Sequence, residues 1–299
     1  MGWNRKTPTL VPPTESKTAD RELITIGVPI ASGVDGVGLG VFRFLHLLQA
    51  LNYRDDHPFR YEYQMVVDKR PVEWARNLIV GQFLKNPDAS RLWFIDNDMA
   101  PKENMLSMLG STADITAAFA LAFDHGNEAK KTPDRLKPCL FRHNAELESF
   151  NPILPQVGDE EVEIDAAGTA TMLIKRRVLE DRRLWGPTTY RNLKGELCDL
   201  DSERDEEDWG PPIFRFQRKP NANGLRSEDI DFSWRAKQLG YRVTGRPGIR
   251  VGHYKAINLD SVLSLVNDTA ARYGDAVLQE YKNADEGKMD RSGPVSVAR

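Results

Sequence analysis

Between residues 23 and 121 short apolar runs alternate with helix-spaced stretches, and that alternation leaves few folds open. Leu23–Ile30 is β-branched and apolar, a first strand. Phe42–Leu51 has helical spacing, and Tyr61–Val67 alternates like a second strand ending at Asp68. A helix can begin at Pro71, and Ala75, Leu78, Ile79 and Phe83 then form one apolar stripe. Arg91–Ile95 is a third strand running into Asp96, Lys102–Leu109 is helical, and Ile115–Leu121 is a fourth strand. Strand and helix in strict alternation predict an α/β fold: a mostly parallel, Rossmann-like sheet flanked by helices.

The second half is less regular. Ala170–Ile174 reads as a strand and Lys175–Asp181 as a short helix. Arg191–Trp209 is a polar loop, and its segment Asp199–Asp208 holds seven acids in ten positions, a solvated excursion or an acceptor loop. Glu228–Leu239 is helical, Tyr241–Val243 and Ile249–Val251 are two short strands, and Asp260–Tyr281 is an amphipathic helix expected to pack across the sheet. The expected organisation is a flexible arm (1–20), a single catalytic domain (21–285) and a flexible tail (286–299). Within the domain, 21–125 is the nucleotide-binding half, 126–257 the acceptor-side half and 258–285 the C-terminal helix.

Composition narrows the function classes. Net charge is −3, so no global basic excess drives nucleic-acid binding. Arg5, Lys6, Lys17 and Arg21 near the N-terminus leave only a slender case for DNA. The two cysteines, Cys139 and Cys198, have no zinc-cluster spacing, which fits a reducing cytoplasm. The polar stretch Met1–Asp20 has no apolar core of the kind a signal peptide needs, and no stretch approaches the roughly 20 apolar residues of a membrane span.

Five motifs carry candidate chemistry. Asp96-Asn97-Asp98 follows an apolar strand, where an open α/β sheet binds ligands, and an Asp-x-Asp can aim two hard oxygen ligands at one divalent cation. The plainer role for Asp98 is to start a turn and cap the helix after Pro101. Ser227-Glu228-Asp229-Ile230-Asp231 places three acids at a helix start, where the dipole favours them and where one could serve as a general base. His253 follows a strand and is either structural or a metal ligand. Arg76 and Asn77 suit phosphate and base or ribose, or else an exposed helix face. Gly168 and Thr169 form a small-residue turn that lets backbone approach a ligand. The Gly-rich stretch Gly33–Gly40 lacks dinucleotide spacing, because Val41 stands three residues after Gly38, and it has no Walker ending.

In this order, over about residues 23–255, the motifs resemble the GT-A glycosyltransferases, especially the family-2-like group. Trp74–Pro101 is similar to that group's "RN…FL…LLFIDSDM…P" segment, Asp165–Val178 to its "G-x-G-x-x-L-I-R-R" segment, and Pro212–His253 to its "ED-x-DF…R…G" segment followed by "GH". The resemblance implies a nucleotide-sugar donor, a UDP-sugar by default, and an unidentified hydroxyl acceptor. Asp96, Asp98 and His253 would hold Mn²⁺ or Mg²⁺ on the donor diphosphate. Asp68 would face the base, and Arg76 would support the donor. Asp229 would be the base, with Glu228 its neighbour and alternate. Gly168 and Thr169 would line the sugar or acceptor side. The sequence departs from the family in the Gly-rich turn after Ile30, in the missing Asp-Gly-Ser at Asp68 and in the acidic 199–208 insertion. Inversion and retention both stay open, as do a nucleotidyltransferase and a non-catalytic sugar-nucleotide module.

Overall fold

The structure, a computed structural model, describes residues 21–30, 38–69, 72–124, 135–146, 149–158, 160–186, 189–191, 197–199, 210–215, 217–218 and 225–254. The N-terminal arm, the first part of the Gly-rich stretch, Pro71, the acidic run after Asp199, the helix expected over Asp260–Tyr281 and the C-terminal tail lie outside these residues.

The first half follows the predicted alternation: β1 (Glu22–Ile30), α1 (Leu39–Asn52), β2 (Phe59–Val67), α2 (Val72–Lys85), β3 (Ala89–Ile95), β4 (Met99–Ala100), a 3-10 helix (Glu103–Gly110) and β5 (Ile115–Asp124). Short strands follow: β6 (Arg135–Pro138), β7 (Leu140–Asn144), β8 (Ser149–Pro152), β9 (Val162–Glu163), β10 (Ala166–Ala167) and β11 (Thr171–Lys175). Then come α3 (Arg176–Leu179), the small antiparallel pairs β12 (Thr189–Arg191) with β13 (Leu197–Asp199) and β14 (Gln217–Arg218) with β15 (Leu225–Arg226), α4 (Glu228–Gln238) and β16 (Val243–His253).

Among the described residues nine strands form the central sheet, in the order β2-β1-β3-β11-β5-β16-β4, with β6 on β5 and β9 on β16. β1 is parallel to β2 and β3, and β16 is parallel to β5. β11 runs antiparallel to both β3 and β5, so those two point the same way. The fold is therefore α/β with a mixed, mostly parallel sheet, consistent with a GT-A-like Rossmann arrangement. A three-stranded sheet, β10-β7-β8, stands beside it.

Helices cover both faces. Val41, Phe44, Leu45, Leu48 and Leu51 make the buried stripe of α1. Trp93 and Phe94 are neighbours on β3, so they point to opposite faces. Trp93 meets Phe44 of α1 edge-to-face at 5.7 Å, whereas Phe94 meets Phe214 at 5.4 Å. Gly27 lies under Ile79 of α2 on the Phe94 face; a Cβ there would come within 2.7 Å of Ile79. Phe214 in turn stacks on Phe232 of α4 at 4.6 Å. That face holds α2 and α4, and the opposite face holds α1.

Two expectations are corrected. The two strands expected over 241–251 are one, β16, whose register on β5 shifts between Arg246 and Arg250. Pro247 has no N–H to give a ladder, so the strand bulges there instead of ending. The helix expected over Lys102–Leu109 is 3-10 in form. Among the described residues no helix is long and apolar enough to cross a membrane.

Candidate functional site

Parallel strands present their carboxyl ends on one edge, and Asp68, Asp96 and His253 all stand there. Alternation along β3 sends Asp96 to the same face as Phe94, the α2 side. Its N–H donates to Ala170 O at 3.1 Å, and Met99 N–H donates to Asp96 O at 3.0 Å, closing a tight turn. The turn rests on the start of α1. Gly38 N–H donates to Asn97 Oδ1 at 2.8 Å. A Cβ on Gly38 would lie 2.4 Å from Asn97 O, and one on Gly40 would lie 2.7 Å from both Ala100 Cα and Met99 O. The described part of the Gly-rich stretch thus lets a helix end touch the acidic turn backbone to backbone.

After the turn β4 pairs with the end of β16, matching His253 with Met99 and Gly252 with Ala100. Tyr254 N–H donates to Asp98 O at 2.7 Å. This pairing brings His253 Nε2 to 2.9 Å from Asp98 Oδ2, while Nδ1 lies 2.8 Å from Leu121 O. Only an N–H can make the Leu121 contact, so the neutral ring turns the lone pair of Nε2 toward Asp98. Two acceptors this close need a proton or a cation between them, and a backbone-anchored Nδ1 is the usual way to aim a ligating imidazole.

Asp96 does not join that pair. Arg76 Nη2 donates to both of its carboxylate oxygens, at 3.0 and 3.1 Å, and Arg76 Nη1 donates to Glu228 Oε1. Among the described residues no three His, Cys, Asp or Glu side chains gather as a metal cluster. Of the three expected ligands, Asp98 and His253 stand together, while the Arg76 guanidinium holds Asp96 on the α2 face. Arg76 and Asn77 are buried, 4% and 2% exposed, so they are not an exposed helix face either. Asn77 Nδ2 donates to Phe214 O at 3.0 Å and Oδ1 accepts from Phe214 N–H at 2.8 Å. That amide thus clamps both backbone groups of Phe214.

The acid triplet divides by partner. Glu228 is buried against Arg76. Asp231 is buried and paired with Arg235 at 2.6 Å. Asp229, half-buried, is held by neutral donors: Ser227 Oγ at 2.6 Å, Ile230 N–H at 2.7 Å and Thr169 N–H at 3.3 Å. A Cβ on Gly168 would sit 3.4 Å from Asp229 Oδ2, in ordinary contact with the carboxylate, and 3.3 Å from Cys139 Cβ. The turn Gly168–Ala170 touches both acidic centres, Asp229 through Thr169 and Asp96 through Ala170. The Thr169 hydroxyl is buried without a hydrogen-bond partner among the described residues.

Asp68 lies two strands from Asp96 on the same edge. It is exposed, takes a left-handed φ of 58° and donates its N–H to Ile30 O at 3.1 Å, tying the ends of β1 and β2. Cys139, weighed in the sequence only for zinc-cluster spacing, is a free, buried thiol behind Gly168. Burial, chiefly, pushes its thiol up to about 12, with the nearby Asp229 and Asp96 charges adding to the rise. The sequence reading passed over the turn-seating roles of Asn97, Gly38 and Gly40, although the Gly-x-Gly spacing was visible.

No protein-family model matches the sequence, and no curated protein matches it. Among solved structures the chain is similar to the protein A197 from STIV, with TM-score 0.43 and 14% identity over 79% of this chain and 86% of that one. It is similar to GalNAc-T7 with UDP, GalNAc and Mn²⁺, with TM-score 0.39 and 11% identity over 90% of this chain and 55% of that one. It is also similar to the inositol-1-phosphate CTP transferase from T. maritima, with TM-score 0.36 and 10% identity over 84% of this chain and 97% of that one.

Proposed function

We propose that this protein is a metal-dependent glycosyltransferase that moves a sugar from a nucleoside-diphosphate sugar to a hydroxyl acceptor. The observation that carries the reading is the contact between Asp98 and His253 at the carboxyl edge of the sheet. A carboxylate oxygen and an anchored imidazole suit Mn²⁺ or Mg²⁺. Asp98 and His253 would hold the ion, which when bound offsets negative charge on the leaving diphosphate.

The remaining roles belong to the chain's own groups. Asp68, at the far side of the same edge, would meet the nucleotide base, a uridine by default. Asp229 is the acid of its triplet with no cationic partner among the described residues, and we assign it the role of accepting a proton from an acceptor hydroxyl. In an inverting reaction it takes that proton as the hydroxyl attacks; in a retaining one it orients sugar and acceptor. Gly168, with no side chain, keeps the approach to Asp229 open on the sugar or acceptor side, and Thr169 steadies Asp229 through its backbone N–H. Glu228 serves Arg76 rather than the acceptor.

Donor hydrolysis tests the reading. A panel of nucleotide sugars is incubated with Mn²⁺ or with EDTA, comparing wild type with Asp98→Ala. Metal-dependent release of a nucleoside diphosphate, lost in the variant, is expected. Unchanged release in Asp98→Ala removes the metal assignment, and pyrophosphate release from a nucleoside triphosphate would point to a nucleotidyltransferase instead.

A further inference from the structure

Arg76 is the one guanidinium in contact with both acidic elements of the site among the described residues. It comes from α2, yet it bonds Asp96 at the end of β3 and Glu228 at the start of α4. Both Arg76 and Glu228 have side chains only 5% exposed, whereas Asp96 is 25% exposed. Arg76 Nε is buried without a partner among the described residues, so the side chain forgoes one hydrogen bond in the geometry that serves both carboxylates. One positive charge thus stands against two negative ones, beside the Asp98–His253 contact.

We infer that Arg76 is a positioning residue that holds Asp96 away from the cation end of the site, ties it to Glu228, and so sets how weakly the Asp98–His253 pair takes a divalent cation. The inference rests on the metal-dependent reading above. Asp96 and Asp98 are two residues apart on one tight turn, so an Asp96 released from Arg76 is a ready extra oxygen ligand. Keeping it on the guanidinium keeps the ion loosely held and exchangeable. The same grip fixes the start of α4, and with it Asp229, relative to β3.

The test is a titration of the full chain with Mn²⁺ alone, followed by electron paramagnetic resonance. The variant is Arg76→Met with Glu228→Gln, which leaves no buried carboxylate without a partner. It is expected to bind Mn²⁺ on the order of ten-fold more tightly, from loss of a nearby positive charge and gain of a carboxylate. Its turnover should fall at an unchanged donor KM. Arg76→Lys keeps the charge but cannot grip both partners, so it is expected to restore near-wild-type Mn²⁺ affinity with reduced kcat. A merely structural Arg76 would lower melting temperature and Mn²⁺ affinity together. A folded double variant with unchanged or weaker Mn²⁺ binding overturns the inference. Should that variant not fold, Arg76→Lys with wild-type turnover overturns it. Wild-type Mn²⁺ binding and nucleoside-diphosphate release then keep the glycosyltransferase reading standing on its own; a wild type that takes up no Mn²⁺ brings down both.

Discussion

Gly40→Ala places a methyl group where α1 meets the acidic turn. The new Cβ would lie 2.7 Å from Ala100 Cα, 2.7 Å from Met99 O and 3.0 Å from Ala100 Cβ. Ordinary contact begins at 3.4 Å, so the helix or the turn must retreat by roughly 0.7 Å, and no flexible side chain is available to yield. Two effects oppose. Alanine is better than glycine inside a helix by about 1 kcal/mol. Forcing atoms into packed backbone costs about 1–3 kcal/mol, and three close contacts argue for the upper end. The net expectation is a loss of about 2 kcal/mol, or a fall in melting temperature of about 4–8 °C for a chain of this size. Gly110→Ala is the control: a Cβ there meets nothing within 4 Å, so its effect should stay within about 0.5 kcal/mol. Urea and thermal unfolding of wild type and both variants measure the difference. If Gly40→Ala is as stable as Gly110→Ala, the close seating of α1 on the turn is wrong, and with it the account of why glycine stands there.

Asn77→Ala leaves the buried N–H and C=O of Phe214 without their side-chain partner, at a cost of about 2–4 kcal/mol seen in urea unfolding, with new proteolytic cleavage near 210–215; unchanged stability would show the clamp to be idle. Cys139 should resist alkylation at pH 8 in the folded protein and react once it is unfolded; equal labelling in both states would contradict its burial. Its folded thiol is raised toward about 12 from 9.0, so the stability it confers is fully present below pH 9 and lost as pH rises toward 12. Cys139→Ala should flatten that alkaline decline, and an equally steep decline in the variant would assign it elsewhere.

The strands of the first half were legible because each buries an apolar run on a sheet covered on both faces, and such runs declare themselves locally. The placement of Asp96, Asp98, His253 and Asp229 at chain segments bordering strands and helices was legible for the same reason. The strand Thr171–Lys175 was legible too, but its antiparallel direction between two parallel strands was not, since direction is set by which edge is open when the chain returns and not by the run itself. The bulge in β16 was misread because Pro247 and Gly248 look alike in a turn and in a strand whose partner tolerates a register shift.

The sequence by itself determined the alternating α/β order, the acidic turn after an apolar strand and the acids at the start of α4. Periodicity and local chemistry suffice for these. Only the tertiary structure decided what each charge faces. Arg76 and Glu228 are 152 residues apart, and Asp98 and His253 meet only because β4 pairs with the end of β16. Which of two acids two residues apart turns to a guanidinium and which to an imidazole depends on the two faces of one strand end. No local pattern records what has packed against each face.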